Sequence, residues 1–167
     1  MYDKLTQSDI QKMEAEIEYR KLVVRPQALE DVKEARSHGD LSENFEYHAA
    51  KKDKNKNESR IRYLERMLKT SEIISEESAD DEVGLNNTIT LYMEDDDEEE
   101  TYRLVTSVRG NSMKNMISTE SPIGKAILGH KVGERVEIRV SDTFSYFAEI
   151  RKIENTMDDG SDELRKF

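Results

Sequence analysis

An α+β fold in two parts is what this sequence predicts: a long antiparallel α-helical hairpin, a coiled coil over residues 1–74, then a small antiparallel β domain with one short helix over residues 75–156. Three observations predict it. Apolar residues in the first part recur at helical spacing in one narrow stripe, whereas those after position 87 alternate at strand spacing. Between the two helical stretches, Ser37-His38-Gly39-Asp40 joins a helix stop to a helix start. Hydrophobic residues make up 35% and charged residues 38% of the 167, against roughly 45–50% and 25% in typical domains, so part of the chain must be thin.

The first arm begins near Thr6, where Ile10, Met13, Ile17 and Val24 form a stripe suited to a two-helix seam. Arg25-Pro26 interrupts it, because proline lacks a donor and disfavours helix at the residue before it, although Pro26 also suits the start of a new helix. Leu29, Val32 and Ala35 continue the stripe to Arg36. Gly39 then fits a left-handed position and Asp40 an N-cap, and the chain reverses. A second helical stretch from about Leu41 to Ile74 carries a seam at Phe45 and Ala49 near the turn and at Ile61, Leu64 and Leu68 beyond. Between these groups, Lys51 to Arg60 has almost nothing to bury. An arm of roughly 30 residues reaches about 45 Å, enough to carry the turn clear of the body.

Residues 75–87 form an acidic connection. Thr88 to Tyr92 and Thr101 to Val105 read as a strand pair, with the seven acids Glu94 to Glu100 at its solvated end; Asn115 to Thr119 reads as a third strand. Ser121-Pro122 opens a short helix that Gly129 closes, Arg135 to Val140 and Phe144 to Ile153 supply two more strands, and residues 157–167 read as a disordered tail.

Composition narrows the function. With no Cys or Trp, the chain builds no disulfide scaffold and no thiolate metal site, and no segment approaches the roughly 20 apolar residues of a membrane span, which places it in the cytoplasm without a membrane partner. Net charge is -11, but residues 1–74 balance 15 Lys and Arg against 15 Asp and Glu, leaving 11 against 22 in the remainder. That imbalance excludes a generally basic, phosphate-binding surface, so any nucleic-acid contact is local.

Asp40 and Glu43 are the candidate chemical groups. On a helical start, residues three apart face the same way with Cβ atoms about 5–6 Å apart, so two carboxylates converge on one ion. Hard oxygen ligands suit Mg²⁺, which normally also takes phosphate oxygens, so the turn would be half of a metal site. From spacing alone the pair suits a capping box, an ordinary device of helix starts, better than a metal site, and the two readings can hold together. Lys51, Lys52, Lys54 and Lys56 make a local basic strip, either a solvated helix face or a weakly specific guide for RNA phosphates. His38, His48 and His130 have no ligand spacing, and neither a phosphate loop nor a nucleophile with a matching base is present.

Gly39-Asp40-Leu41-Ser42-Glu43-Asn44-Phe45-Glu46-Tyr47-His48-Ala49-Ala50 resembles the tip signature of the bacterial Gre transcript cleavage factors, and Leu5-Thr6, Arg25-Pro26, Arg60-Ile61, Leu64-Glu65 and Ser121 to Gly129 agree along nearly the whole chain. The resemblance implies a coiled coil that enters the secondary channel of RNA polymerase and a C-terminal domain similar to the FK506-binding proteins that docks at the rim, Ser121, Pro122 and Ile123 included. It implies no independent active site and no tightly bound cofactor: Asp40 and Glu43 help hold a Mg²⁺ shared with the polymerase, which cleaves its own backtracked RNA near the nascent 3′ end. Phe45, the Lys- and Asn-rich Lys51 to Asn57, and the acid-free Val108 to Lys114 depart from the family pattern.

Three other readings compete: a channel-blocking regulator of the same polymerase without cleavage activity, a prolyl isomerase or chaperone built on the C-terminal domain, and a structural coiled coil that oligomerises. Retention of both acids, the scarcity of aromatics and the self-sufficiency of a single-chain hairpin disfavour them in turn, and the chain is expected to be a monomer.

Overall fold

The computed structural model describes residues 3–39 and 43–166. They divide into two compact units, one of residues 10–71 and one that joins residues 3–9 to residues 72–166.

The helical unit is a hairpin. Its first arm runs through α1 (Gln7–Tyr19), a π-helical turn (Arg20–Val24) and α2 (Arg25–Arg36); its second arm is α3 (Phe45–Thr70). Arg25-Pro26 therefore does not interrupt the arm. The Arg25 amide bonds the Arg20 carbonyl five residues back, and proline sits in the first turn of α2, so its missing donor falls where the helix is already widened. Asn57 Nδ2 also donates to that carbonyl at 3.3 Å. A π turn holds one extra residue, which shifts the helical phase by about 100°. This is why Ala28 rather than Leu29 continues the seam: Ala28 is buried and Leu29 is 48% exposed.

Near the turn the seam is Val32 and Ala35 against Tyr47, with Ala50 beside them. The expected Phe45 and Ala49 face outward, because α3 begins at Phe45 and its buried residues run Tyr47, Asn57, Ile61, Leu64 and Met67, at spacings that keep one face inward. Lys51 to Arg60 also differs from expectation. Asn57 and Arg60 are buried there, and Glu16 answers them: Arg60 Nε and Arg20 Nε each donate to Glu16 Oε2 at 2.7 Å, and Arg20 Nη1 donates to Asn57 Oδ1 at 3.0 Å. The middle of the seam is a polar cross-link.

In the other unit, β1 (Lys4–Leu5) pairs in parallel with β2 (Glu72–Ile73). A five-stranded sheet is built from β3 (Thr88–Met93), β4 (Glu98–Val105), β5 (Met116–Ser118), β6 (Arg135–Arg139) and β7 (Ser145–Glu154), in the order β5-β4-β3-β7-β6. All neighbours are antiparallel except β4 and β5, a departure from the fully antiparallel sheet expected. Two 3₁₀ turns, Ser107–Arg109 and Ser112–Lys114, carry the chain back between these strands so that they run the same way. The short helix α4 (Pro122–Ile127) lays Ile127 on Ile89, Leu91, Leu104, Ile138 and Ile150, all fully buried. Gly124 is needed where α4 crosses β5, since a Cβ there would stand 2.0 Å from the Ser118 carbonyl oxygen.

The segment from residue 157, expected to be disordered, is fastened instead. Arg109 is fully buried, and a buried guanidinium requires carboxylates around it. Asp9 Oδ1 accepts from its Nε at 2.7 Å and Asp162 Oδ2 from its Nη1 at 3.0 Å, while Arg103 Nη1 holds Asp162 Oδ1 at 2.6 Å. The Arg165 amide bonds the Val108 carbonyl. Among the described residues, no helix is long and apolar enough to cross a membrane.

Candidate functional site

The turn of the hairpin is built from both sides. Helix α2 closes with backbone bonds from Ser37 to Glu34 and from His38 to Ala35, and Gly39 follows with φ of 145°. Across the turn, Asn44 caps α3: its Oδ1 accepts from the Tyr47 amide at 3.0 Å. The same side chain donates through Nδ2 to the Ala35 carbonyl at 2.6 Å, so one amide starts the second arm and fastens it to the last turn of the first. Tyr47 completes the joint, with the Arg36 guanidinium 5.5 Å and the Lys51 ammonium 6.0 Å from its ring centre. His38 Nδ1 lies 2.7 Å from Glu46 Oε2, and that carboxylate raises the His38 pKa above its ordinary value of 6.5.

Helix α3 was expected to start near Leu41 with Asp40 as its cap. It starts four residues later, at Phe45, because Asn caps as well as Asp and Asn44 also bonds Ala35. Asp40 lies outside the described residues, with Leu41 and Ser42. Glu43 is exposed, one position before the cap, so it is not the third residue of a capping box and its carboxylate is not spent on the helix start. Phe45 is 87% exposed beside it. Among the described residues, no three His, Asp or Glu side chains converge on a common point.

The other candidates are separate. Lys51, Lys52 and Lys56 are exposed on α3 and Lys54 is half-buried. In the β unit, Ser121 caps α4, its Oγ accepting from the Gly124 amide at 3.1 Å; Pro122 is exposed, while Ile123 packs partly on the core. Sequence reasoning missed Asn44, although an Asn followed by Phe45, Glu46 and Tyr47 carries a cap signal equal to that of Asp40. It also missed the burial of Asn57 and Arg60, for which no local signal exists.

Comparison with known proteins gives a class first. Residues 4–73 match a family described as "Transcription elongation factor, N-terminal", and residues 77–155 match "Transcription elongation factor, GreA/GreB, C-term". A protein of Chloroherpeton thalassium named transcription elongation factor GreA is 48% identical over 143 residues, 84% of this chain and 90% of its own. Its namesake in Caldanaerobacter subterraneus is 46% identical over 137 residues (81% and 87%), and that of Streptococcus pneumoniae serotype 19F is 40% identical over 153 (91% and 95%). A solved structure, GreA factor homolog 1 of Thermus thermophilus, aligns over 93% of this chain and 100% of its own at 25% identity and a TM-score of 0.43. The chain belongs to the GreA/GreB family of transcription elongation factors.

Proposed function

We propose that this chain binds bacterial RNA polymerase as a monomer in the cytoplasm, lays its hairpin in the secondary channel and stimulates the polymerase's own hydrolysis of backtracked RNA. The observation that carries the proposal is the freedom of the Glu43 carboxylate: with Asn44 serving the helix start, Glu43 stands exposed in the turn that also contains Asp40. Two acids on a turn make too few ligands for Mg²⁺ alone, and a site completed by polymerase carboxylates and RNA phosphate oxygens supplies the rest. Mg²⁺ bound there would supply an activated water and neutralise the charge that develops on the phosphate.

Asp40 and Glu43 would hold the ion and orient its water. Lys51, Lys52, Lys54 and Lys56 steer the displaced RNA 3′ segment by phosphate contact, which carries no sequence preference. The β unit, similar to the FK506-binding proteins in our reading, docks on the polymerase with Ser121, Pro122 and Ile123 in the contact. The protein is thus an activator acting on another catalyst rather than an enzyme.

Stalled elongation complexes test this directly. Wild-type protein releases 3′ RNA fragments; Asp40→Ala and Glu43→Ala lose stimulated cleavage by roughly 100-fold or more while still competing with wild type for the polymerase. Inhibition of elongation with no fragment release from wild type would instead make the chain a channel-blocking regulator.

A further inference from the structure

The core side of the sheet is covered by α4 at one end and continues outward at the other. Tyr102 of β4 and Tyr146 of β7 lie there, half-buried against the core. Phe144 joins them, 56% exposed, with its ring centre 6.1 Å from that of Tyr146. These rings line a cavity of about 240 Å³ whose remaining wall includes Asp95, Asp96 and Glu100 from the β3–β4 turn and strand.

The two faces of this sheet treat their aromatic rings differently. On the outer face, Arg135 lies 3.7 Å from the ring centre of Phe147 and Arg151 4.5 Å from that of Tyr92. Among the described residues, no cation stands over Tyr102, Tyr146 or Phe144. The carboxylates repeat the contrast: Glu94 pairs with Arg135 at 2.9 Å, whereas Asp95, Asp96 and Glu100 have no cationic partner among the described residues. Glu100 accepts the Tyr102 hydroxyl, and burial, followed by that bond, holds the Tyr102 pKa above the ordinary tyrosine range. Burial acts likewise on Tyr146, followed by the charges of Glu100 and Asp96. Both phenols are therefore neutral near pH 7, with ring faces that attract positive charge.

We infer that this cleft receives an arginine side chain from a partner protein. Its volume lies below the roughly 300–1,000 Å³ of small-molecule sites, so it suits one side chain rather than a metabolite. Its acidic wall repels phosphates and so excludes nucleic acid. A planar guanidinium satisfies both surfaces together, stacking on a ring while its fork of donors reaches the carboxylates, which an ammonium does less well. Resting on the function proposed above, the arginine belongs to the polymerase surface, and the cleft is a docking contact additional to Ser121, Pro122 and Ile123.

Two measurements on the full chain test the cleft and the source of the arginine separately. In an NMR titration with a blocked Gly-Arg-Gly peptide, saturable shifts are expected at amides of residues 93–102 and 144–146. The Asp95→Asn/Asp96→Asn variant, altered only at exposed positions, should bind the peptide at least threefold more weakly with an unchanged melting temperature. Equal shifts with a citrulline peptide, shifts scattered over all acidic surfaces, or no saturation would overturn the cleft. In the second measurement the same variant should show at least a roughly threefold loss of affinity for RNA polymerase, as expected for exposed charges. Unchanged affinity would overturn the assignment of the arginine to the polymerase, and a wild-type protein that fails to bind polymerase would overturn the proposed function while leaving the peptide result standing.

Discussion

Asn44 joins the two arms of the hairpin at their turn. Its Oδ1 accepts from the Tyr47 amide and its Nδ2 donates to the Ala35 carbonyl, so the start of α3 does not draw on the exposed Glu43. Asn44→Ala should cost about 1–2 kcal/mol in chemical denaturation, the sum of a lost cap and a lost cross-arm bond, and should weaken stimulated cleavage although both acids remain. Asn44→Asp keeps the acceptor and loses the donor, so its stability should fall between the two. The chain reversal was legible in the sequence, because a helix stop followed by a helix start is a local signal. The cap of α3 was not, since Asn44 is fixed in part by a carbonyl nine residues earlier, on the other arm.

The hairpin shows the same limit at the level of elements. Both arms could be read from apolar spacing, and the strands of the sheet were found within a few residues of their observed ends, because alternation and helical period are written in each segment alone. The polar stretch of α3 was misread because Arg60 finds Glu16 across 44 residues. Burial raises the Glu16 pKa, but the hydrogen bonds and charges of Arg60 and Arg20 together outweigh it, leaving the carboxyl below its ordinary 4.5. A carboxyl depressed in the folded state contributes stability that is fully present above about 4.5 and is lost as pH falls through the lower folded value. Wild type should therefore exceed Glu16→Gln by about 2 kcal/mol at pH 7, since that change removes the carboxylate that Arg60 and Arg20 share, and the gap should narrow as pH falls below 4.5 in urea titrations followed by circular dichroism.

For the molecule as a whole, the β unit is assembled from both ends of the chain. Thr6 and Asp9 cap α1 reciprocally, at 3.0 and 3.1 Å, and the same Asp9 carboxylate takes Arg109 and the Thr106 hydroxyl, while Asp162 approaches Arg109 from the far end of the sequence. Asp9→Ala should lower stability by about 3–5 kcal/mol, because Arg109 would stay buried with its nearest carboxylate removed; Asp162→Ala should cost less, since Asp9 remains. Thermal melts of the two variants check the order. Residues 157–167 read as an unstructured chain end, and the bonds of Asp162 to Arg109 and Arg103, which no local pattern announces, fasten the described part of that segment. The pairing of Leu5 with Ile73 has one more consequence. Neighbouring strands stand about 4.8 Å apart, so the polypeptide departs for the arm and returns from it through almost the same point. Residues 10–71 are therefore an interchangeable insert: replacing them with a few glycines and serines should leave the sheet folded, and arms of other lengths can be grafted there without rebuilding what lies beneath.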